Sequence, residues 1–349
     1  MCPRQGRCTG LALAAGVRYR ARMRVLSGIQ PSGRLHIGNY FGALRQHLDL
    51  QLENETFYFI ANYHALTSIR NPEELRRLTA DVALDYLALG LNPEKATLFR
   101  QSDVPQVTEL SWILSCVTPM GLLERAVSYK DKVAQGLSPN HGLFAYPVLQ
   151  AADILIYLSE VVPVGQDQKQ HIEITRDIAT KFNNEFEEIF VVPEARILES
   201  TAVVPGTDGR KMSKSYGNEI GIFEGGKSLK KKVMSIVTDS TPVEAPKDPE
   251  TSTPFLLLRL LADPEETAEW EARYKAGGMG YGEVKKRLLE LLNVNFGPYR
   301  EKREALARDP DYVEDVLREG GRRARSIALP VMEQVRRATG IQVSYGRLE

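Results

Sequence analysis

Short β-rich runs alternate with amphipathic helical stretches through the first half of the chain, and this alternation restricts the fold more than any other feature of the sequence. Arg24–Ile29 (RVLSGI) is β-rich, Pro31-Ser32-Gly33 makes a turn, and a helical pattern runs from Gly38 to about Leu50. Phe57–Asn62 reads as a buried strand and Thr97–Gln101 as another. Between them, Asn71-Pro72-Glu73-Glu74 carries helix-start chemistry, with Asn71 as the capping acceptor and Pro72 at the first helical position. Leu75, Leu78, Val82, Tyr86 and Leu89 follow at helical spacing, and Gly90 closes the helix. A further helix starts near Gln106. Phe144–Leu158 is mostly apolar, too long for a typical strand, and interrupted by Asp153. Val161–Val164 is short and β-branched, and Gln166–Asn184 reads as a long polar helix. Such a text implies parallel βαβ units, hence an α/β fold with a doubly wound parallel sheet. Ligands of such sheets sit beyond the carboxyl ends of the strands.

After about Tyr216 strand-like runs nearly vanish. Lys227–Thr238, Pro254–Leu261, Glu265–Lys275, Glu283–Arg303 and Asp311–Thr339 read as helices, with Asp263-Pro264-Glu265-Glu266 repeating the capping chemistry of Asn71. We therefore expect residues 1–22 to be a disordered extension, with Met23 as an alternative start. Residues 23–215 would form the α/β domain and 216–309 an all-helical second domain, and a last helix at about 310–349 would fold back on the sheet. Lys247-Asp248-Pro249 reads as an exposed loop.

Composition excludes several classes. Lys+Arg and Asp+Glu number 45 each, so overall charge gives no evidence for a nucleic-acid partner. The cysteines Cys2, Cys8 and Cys116 form no C-x-x-C pair, and the histidines His36, His47, His64, His141 and His171 show no zinc spacing with them, so neither a disulfide framework nor a structural metal is expected. No apolar run is long enough to span a bilayer, and a cytoplasmic location is the reading. His47 and His141 read as solvent-facing, and Cys116 as a small core residue.

Two segments carry chemistry. Gly28-Ile29-Gln30-Pro31-Ser32-Gly33-Arg34-Leu35-His36-Ile37-Gly38-Asn39 lies where the first strand gives way to the first helix. Glycines there let backbone approach a phosphate, and a helix N-terminus supplies free N–H donors. A plain glycine-rich turn with a packed histidine is the bland alternative. The second segment is Lys211-Met212-Ser213-Lys214-Ser215, flanked by Gly209-Arg210 and Tyr216-Gly217-Asn218. Two lysines three apart on a polar loop can clamp a leaving polyphosphate once the loop closes. A solvated basic loop is the bland alternative there.

Together these segments resemble the HIGH and KMSKS loops of the class I aminoacyl-tRNA synthetases. Three stretches resemble the tryptophan branch of that family: SGIQPSGxLHIGN; Tyr146-Pro147-Val148-Leu149-Gln150-Ala151-Ala152-Asp153-Ile154-Leu155; and Val162-Pro163-Val164-Gly165-Gln166-Asp167-Gln168-Lys169-Gln170-His171-Ile172-Glu173. Val237-Thr238-Asp239-Ser240 adds to this, and the resemblance runs from Arg24 to about Gly340. It implies a Rossmann-type catalytic domain and a helical anticodon-binding domain. The implied substrates are L-tryptophan, ATP with Mg²⁺, and tRNA(Trp), and the implied assembly is a homodimer. His36, Asn39, Lys132, Lys211 and Lys214 would be catalytic. Gln30, Pro31, Ser32, Gly38, Asn39, Gly165, Gln166, Asp167, Val203, Met212, Ser213 and Ser215, with both loop lysines, would bind ATP. Asp153 would accept the indole N–H, and Leu26, Gly28, His64, Tyr146, Gln150, Val162, Val164 and Gln168 would surround tryptophan. A carboxylate suits the indole N–H, which is a donor only. The sequence departs from the usual pattern at Gln150, Asn62, Leu26 and Gln166, and all but Gln166 belong near the amino acid. A tyrosine ligase, a small-molecule adenylyltransferase and a non-catalytic paralogue are the rival readings.

Overall fold

The computed structural model describes residues 22–31, 33–126, 140–165, 168–197 and 204–341. Five parallel strands form one sheet: β1 (Arg24–Ile29), β2 (Glu55–Ile60), β3 (Ala96–Arg100), β4 (Val161–Val164) and β5 (Glu194–Ile197), in the order β3-β2-β1-β4-β5. The chain winds outward from β1 to β3, then crosses back to lay β4 on β1's other side. The topological switch point, where α/β folds bind ligands, is therefore the gap beyond β1 and β4. Residues 57–60 of β2 and all of β4 are buried, as strands covered on both faces must be. The strand β5 had no counterpart in the sequence reading. It is an edge strand, and Glu194 and Arg196 interrupt its apolar positions.

Helix α1 covers Ile37–Asn39 and Arg45–Leu50, joined through a π-helical stretch at Tyr40–Leu44. Then follow α2 (Pro72–Ala88), α3 (Gln106–Val117), α4 (His141–Leu155) and α5 (Lys169–Glu185). The Asn71 side chain accepts from the amides of Glu73 and Glu74 at the start of α2. The apolar run around Asp153 is helix α4, and the Asn140 side chain accepts from Leu143 at its N-terminus. On one face of the sheet, Leu26, Phe57, Phe59 and Phe99 pack against α3, α4 and α5 through Leu114, Val148, Leu155, Ile172 and Phe182.

The rest of the chain is helical: α6 (Gly226–Met234), α7 (Thr253–Arg259), α8 (Pro264–Ala276), α9 (Tyr281–Ala307) and α10 (Pro310–Ala338). Helices α6, α7, α9 and the first part of α10 share the core on the sheet's other face, where Tyr58, Ile60 and Leu98 meet Phe41, Tyr86, Met212, Ile220, Leu229, Leu288 and Phe296. The second part of α10 joins the first core through Ala324, Ala328 and Met332. A smaller cluster around Phe255, Trp270, Tyr274 and Val284 lies within α7, α8 and α9. Helix α10 lies along β3 so closely that a methyl group at Gly320 would land on the Leu98 carbonyl. Arg100 and Glu314 form a paired 2.8 Å bridge beside this contact.

Three local expectations are corrected. His47 is buried, 9% exposed. The π-helical stretch inserts an extra residue per turn and rotates α1's face, which a 3.6-residue count misses. Lys247 is 5% exposed and donates to the carbonyls of Pro242, Val243 and Ala245, which fold its loop around the ammonium. Cys116 is exposed rather than in the core.

Two outcomes follow for stability. Gly320→Ala should cost well over 2 kcal/mol in urea unfolding by overpacking α10 on β3, whereas Gly297→Ala, in open space within α9, should gain about 0.5–1 kcal/mol. Arg303 of α9 binds buried Asp85 of α2 at 2.5 Å and Asp81 at 2.7 Å. Arg303→Met should therefore cost about 3 kcal/mol, because it strands a buried carboxylate. Burial raises the Asp85 carboxyl to about 6 even with Arg303 beside it. A raised carboxyl favours the folded state below the ordinary value near 3.8, and that contribution is lost as pH rises through about 6. The Arg303→Met loss should thus be larger near pH 8 than near pH 5.

Candidate active site

The loop after β1 passes Gln30, Pro31 and Gly33, which is left-handed at φ +99°, and reaches His36 at the N-terminus of α1. His36 and Asn39 bind each other reciprocally: the Asn39 amide donates to His36 Nδ1 at 3.3 Å, and the His36 amide donates to Asn39 Oδ1 at 3.1 Å. This box orients the ring. Gly38 is required beneath it, since a Cβ there would sit 2.9 Å from His36 Nδ1 and 3.3 Å from Met212 Cβ. Burial, helped by the charge of Lys214 and opposed by Glu219, lowers His36 to about 4. Its imidazole is neutral at pH 7 and serves as a hydrogen-bonding group rather than a cation.

The second loop is anchored from below. Met212 is buried and donates its amide to Val204 O at 2.9 Å, and buried Asn218 accepts from the Ser213 amide at 2.8 Å while donating to Asp208 and to Lys211 O. Ser213 and Ser215 share a 2.8 Å hydroxyl contact. Lys211 and Lys214 are carried on this base, both on the exposed side of the loop. The segment after the loop is stitched to the first loop, with the Ile37 amide on Ile220 O at 3.0 Å and the Ile222 amide on Leu35 O at 3.1 Å. Lys214 Nζ consequently lies against Gly33: it would be 3.7 Å from a Cβ built there. Crowding of its ammonium lowers the pKa of Lys214, and Glu219 and Asp85 pull it the other way.

Beside the loops, at the switch point, lies a cavity of about 400 Å³. Leu26, Gly28, Val162 and Val164 form its walls, and Gln30, His64, Tyr146, Gln150, Gly165 and Gln168 supply polar edges. Gly28 leaves room for the Phe59 ring, which would otherwise collide with a Cβ at 2.5 Å. Asp153 does not line the cavity. It lies behind His64, 1% exposed, with Oδ2 2.8 Å from His64 Nε2. Gln101 donates to Oδ1 at 2.8 Å and to Oδ2 at 2.9 Å. Burial raises the carboxyl's pKa, and the bonds from His64 and Gln101 pull it back. Oδ2 thus takes two of these bonds and Oδ1 one, so Oδ1 retains acceptor capacity.

The structure adds residues that the sequence did not single out. Gln101 closes β3 and reaches Asp153 across 52 positions, a contact no local pattern encodes. His171 binds Tyr146 Oη through Nε2 at 2.7 Å, and Ser27, Ala43, His47 and Thr67 also line the cavity. Asn62 is paired reciprocally with Ser102, so its amide shapes the turn beside His64. Ser32, Lys132, Gln166, Asp167 and Val203 lie outside the described residues. A larger cavity of about 710 Å³ lies between α2 and the α9–α10 turn. It touches neither loop, so the smaller one is the candidate site.

Comparison with known proteins agrees with this geometry. Residues 18–297 match the family described as tRNA synthetases class I (W and Y). A tryptophan–tRNA ligase of Rhodopirellula baltica is 56% identical over 92% of this chain and 100% of its own length. One from Fusobacterium nucleatum is 54% identical over 91% of this chain and 98% of its own length. The crystal structure of Campylobacter jejuni tryptophanyl-tRNA synthetase complexed with ADP and tryptophan superposes with a TM-score of 0.88 at 54% identity, covering 91% of this chain and 100% of that one. The chain belongs to the class I tRNA synthetases of the tryptophan and tyrosine group.

Proposed function

We propose that this chain activates L-tryptophan with ATP, giving tryptophanyl-adenylate and pyrophosphate, and then transfers the amino acid to the 3′-terminal ribose of tRNA(Trp). The observation that carries the reading is the meeting of the two loops beside an apolar-walled cavity with a buried carboxylate at its back.

In this reading the indole ring lies between Leu26, Gly28, Val162 and Val164, with its N–H directed toward Asp153, which it reaches once the His64 ring turns aside. Tyr146, Gln150, Gln168 and His64 hold the ring edge and the amino and carboxyl groups. ATP lies along Gln30, Pro31, Ser32 and the first turn of α1, with Gly38 admitting it and His36 and Asn39 donating to its phosphates. Gly165, Gln166 and Asp167 meet the ribose, and Val203 the adenine. The tryptophan carboxylate attacks the α-phosphorus in line, so the work of the protein is positioning and charge stabilisation. Lys211 and Lys214, with Lys132, neutralise the departing pyrophosphate, held by the base that Met212, Ser213 and Ser215 build. Among the described residues no group of three or more His, Cys, Asp or Glu side chains converges. Mg²⁺ would be carried by the phosphate oxygens of ATP, where it offsets their charge.

The helical region 216–309 would read the anticodon, with Lys227, Lys230 and Lys231 exposed on α6, while 23–215 and the returning α10 form the catalytic body. Trp112, 72% exposed on α3, and Met120, 61% exposed just beyond it, suit burial against a second subunit. No described helix is long and apolar enough to cross a membrane, and we place the reaction in the cytoplasm, where ATP and tRNA meet.

Tryptophan-dependent ATP–pyrophosphate exchange tests these roles. Lys214→Ala should lower kcat by about 100-fold or more with a small change in KM for tryptophan, because the cation acts on charge that develops during reaction. Asp153→Asn should instead raise KM for tryptophan by about 10- to 100-fold, the worth of a charged hydrogen bond. Equal loss of both parameters in both variants would count against the assignment. Because His36 of the free enzyme is held neutral down to about pH 4, kcat/KM for ATP should show no titration from it between about pH 6 and 8. A step near pH 6.5 that vanishes in His36→Asn would contradict this.

A further inference from the structure

We propose that Ser27 and His47 form a polar subsite at the α1 end of the ring cavity, through which the enzyme activates tryptophans carrying a small hydrogen-bonding group on the ring. This rests on the reading that the cavity takes the indole ring.

Ser27 on β1, and Ala43 and His47 one helical turn apart on α1, line the same cavity as Leu26, Gly28 and Val162. Both polar residues are buried, Ser27 at 3% and His47 at 9% exposure. They meet only at long range, with Ser27 Oγ 3.4 Å from His47 Nδ1. His47 Nε2 is buried and has no hydrogen-bond partner. The Tyr58 hydroxyl, which donates to the His47 carbonyl, fixes the backbone rather than the ring.

Burial lowers His47 to about 4, so the ring is neutral and presents one donor and one acceptor nitrogen. A buried imidazole nitrogen without a partner is unfavourable, and a ligand hydroxyl or amino group removes that deficit. Ala43 offers only a methyl group to the same stretch of cavity wall. The Ser27 hydroxyl can turn to donate or accept, so the pair suits either sense of bond. An apolar pocket distinguishes a methyl from a hydroxyl poorly, whereas a site built to hydrogen-bond the hydroxyl separates them strongly. The structure thus assigns ring-substituent selectivity to His47.

The test is ATP–pyrophosphate exchange with tryptophan and with the 4-, 5-, 6- and 7-hydroxy and methyl derivatives. The readout is the ratio of kcat/KM between hydroxy and methyl at each position, which a general loss of activity leaves unmoved. At one position the unmodified enzyme should favour hydroxy over methyl by about tenfold or more. His47→Phe, and independently Ser27→Ala, should bring that ratio down toward unity. No hydroxy preference at any position, or a preference unchanged in both variants, would overturn the subsite while leaving tryptophan activation standing. No exchange with tryptophan itself would overturn the activation reading and the subsite with it.

Discussion

The Ile37 amide bound to the Ile220 carbonyl and the Ile222 amide bound to the Leu35 carbonyl hold the two chemical loops of this protein together. The first loop is fixed by the sheet, because it leaves the end of β1 and enters α1. Among the described residues the second does not leave directly from a strand of the sheet. It stands on a small hairpin whose base is Met212, Asn218 and Gly206, and these backbone bonds hold it beside the first loop. Helix α9 supports the same stretch from outside. Arg300 donates to Ile222 O at 3.1 Å, and Arg303 sits over the Phe223 ring at 5.1 Å while binding Asp85 of α2. The helical region thus supports the segment that follows Lys214, and it does so while sharing a hydrophobic core with the sheet.

The second constraint is electrostatic. Asp153 is a carboxylate within the sheet's main core, and such a group persists only with partners. Gln101, His64 and Asn62 belong to the turns after β2 and β3, and Gln101 also accepts from the Tyr63 amide at 3.0 Å. The carboxylate is therefore coupled to the carboxyl ends of two strands. The carboxylate is thereby held in a fixed orientation behind His64, one residue deeper than the cavity wall.

Much of this was legible in the sequence, for physical reasons that can be named. The strands β1 to β4 are covered on both faces, so they appear as apolar runs, and the Asn71 and Asp263 caps announce α2 and α8 through their acceptor side chains. The strand β5 lies at an edge and keeps charged residues, so it carries no such run. Both chemical loops were legible because glycine and lysine spacing reflects local geometry. Gln101 was not, because its role is a contact from the end of β3 to helix α4, 52 positions along the chain. His47 was misread as solvent-facing because a π-helical stretch turned the helix face, and Lys247 because a short loop wraps three carbonyls around its ammonium.

The most direct test of the account is charging of unfractionated tRNA with each of the twenty amino acids in turn. The account predicts that tryptophan alone becomes acid-precipitable on tRNA, at a level set by the tRNA(Trp) content of the pool. Charging with tyrosine in place of tryptophan would move the chain to the other branch of its group and contradict the role given to the cavity and Asp153. Charging with neither would mean that the two loops meet without performing the chemistry assigned to them.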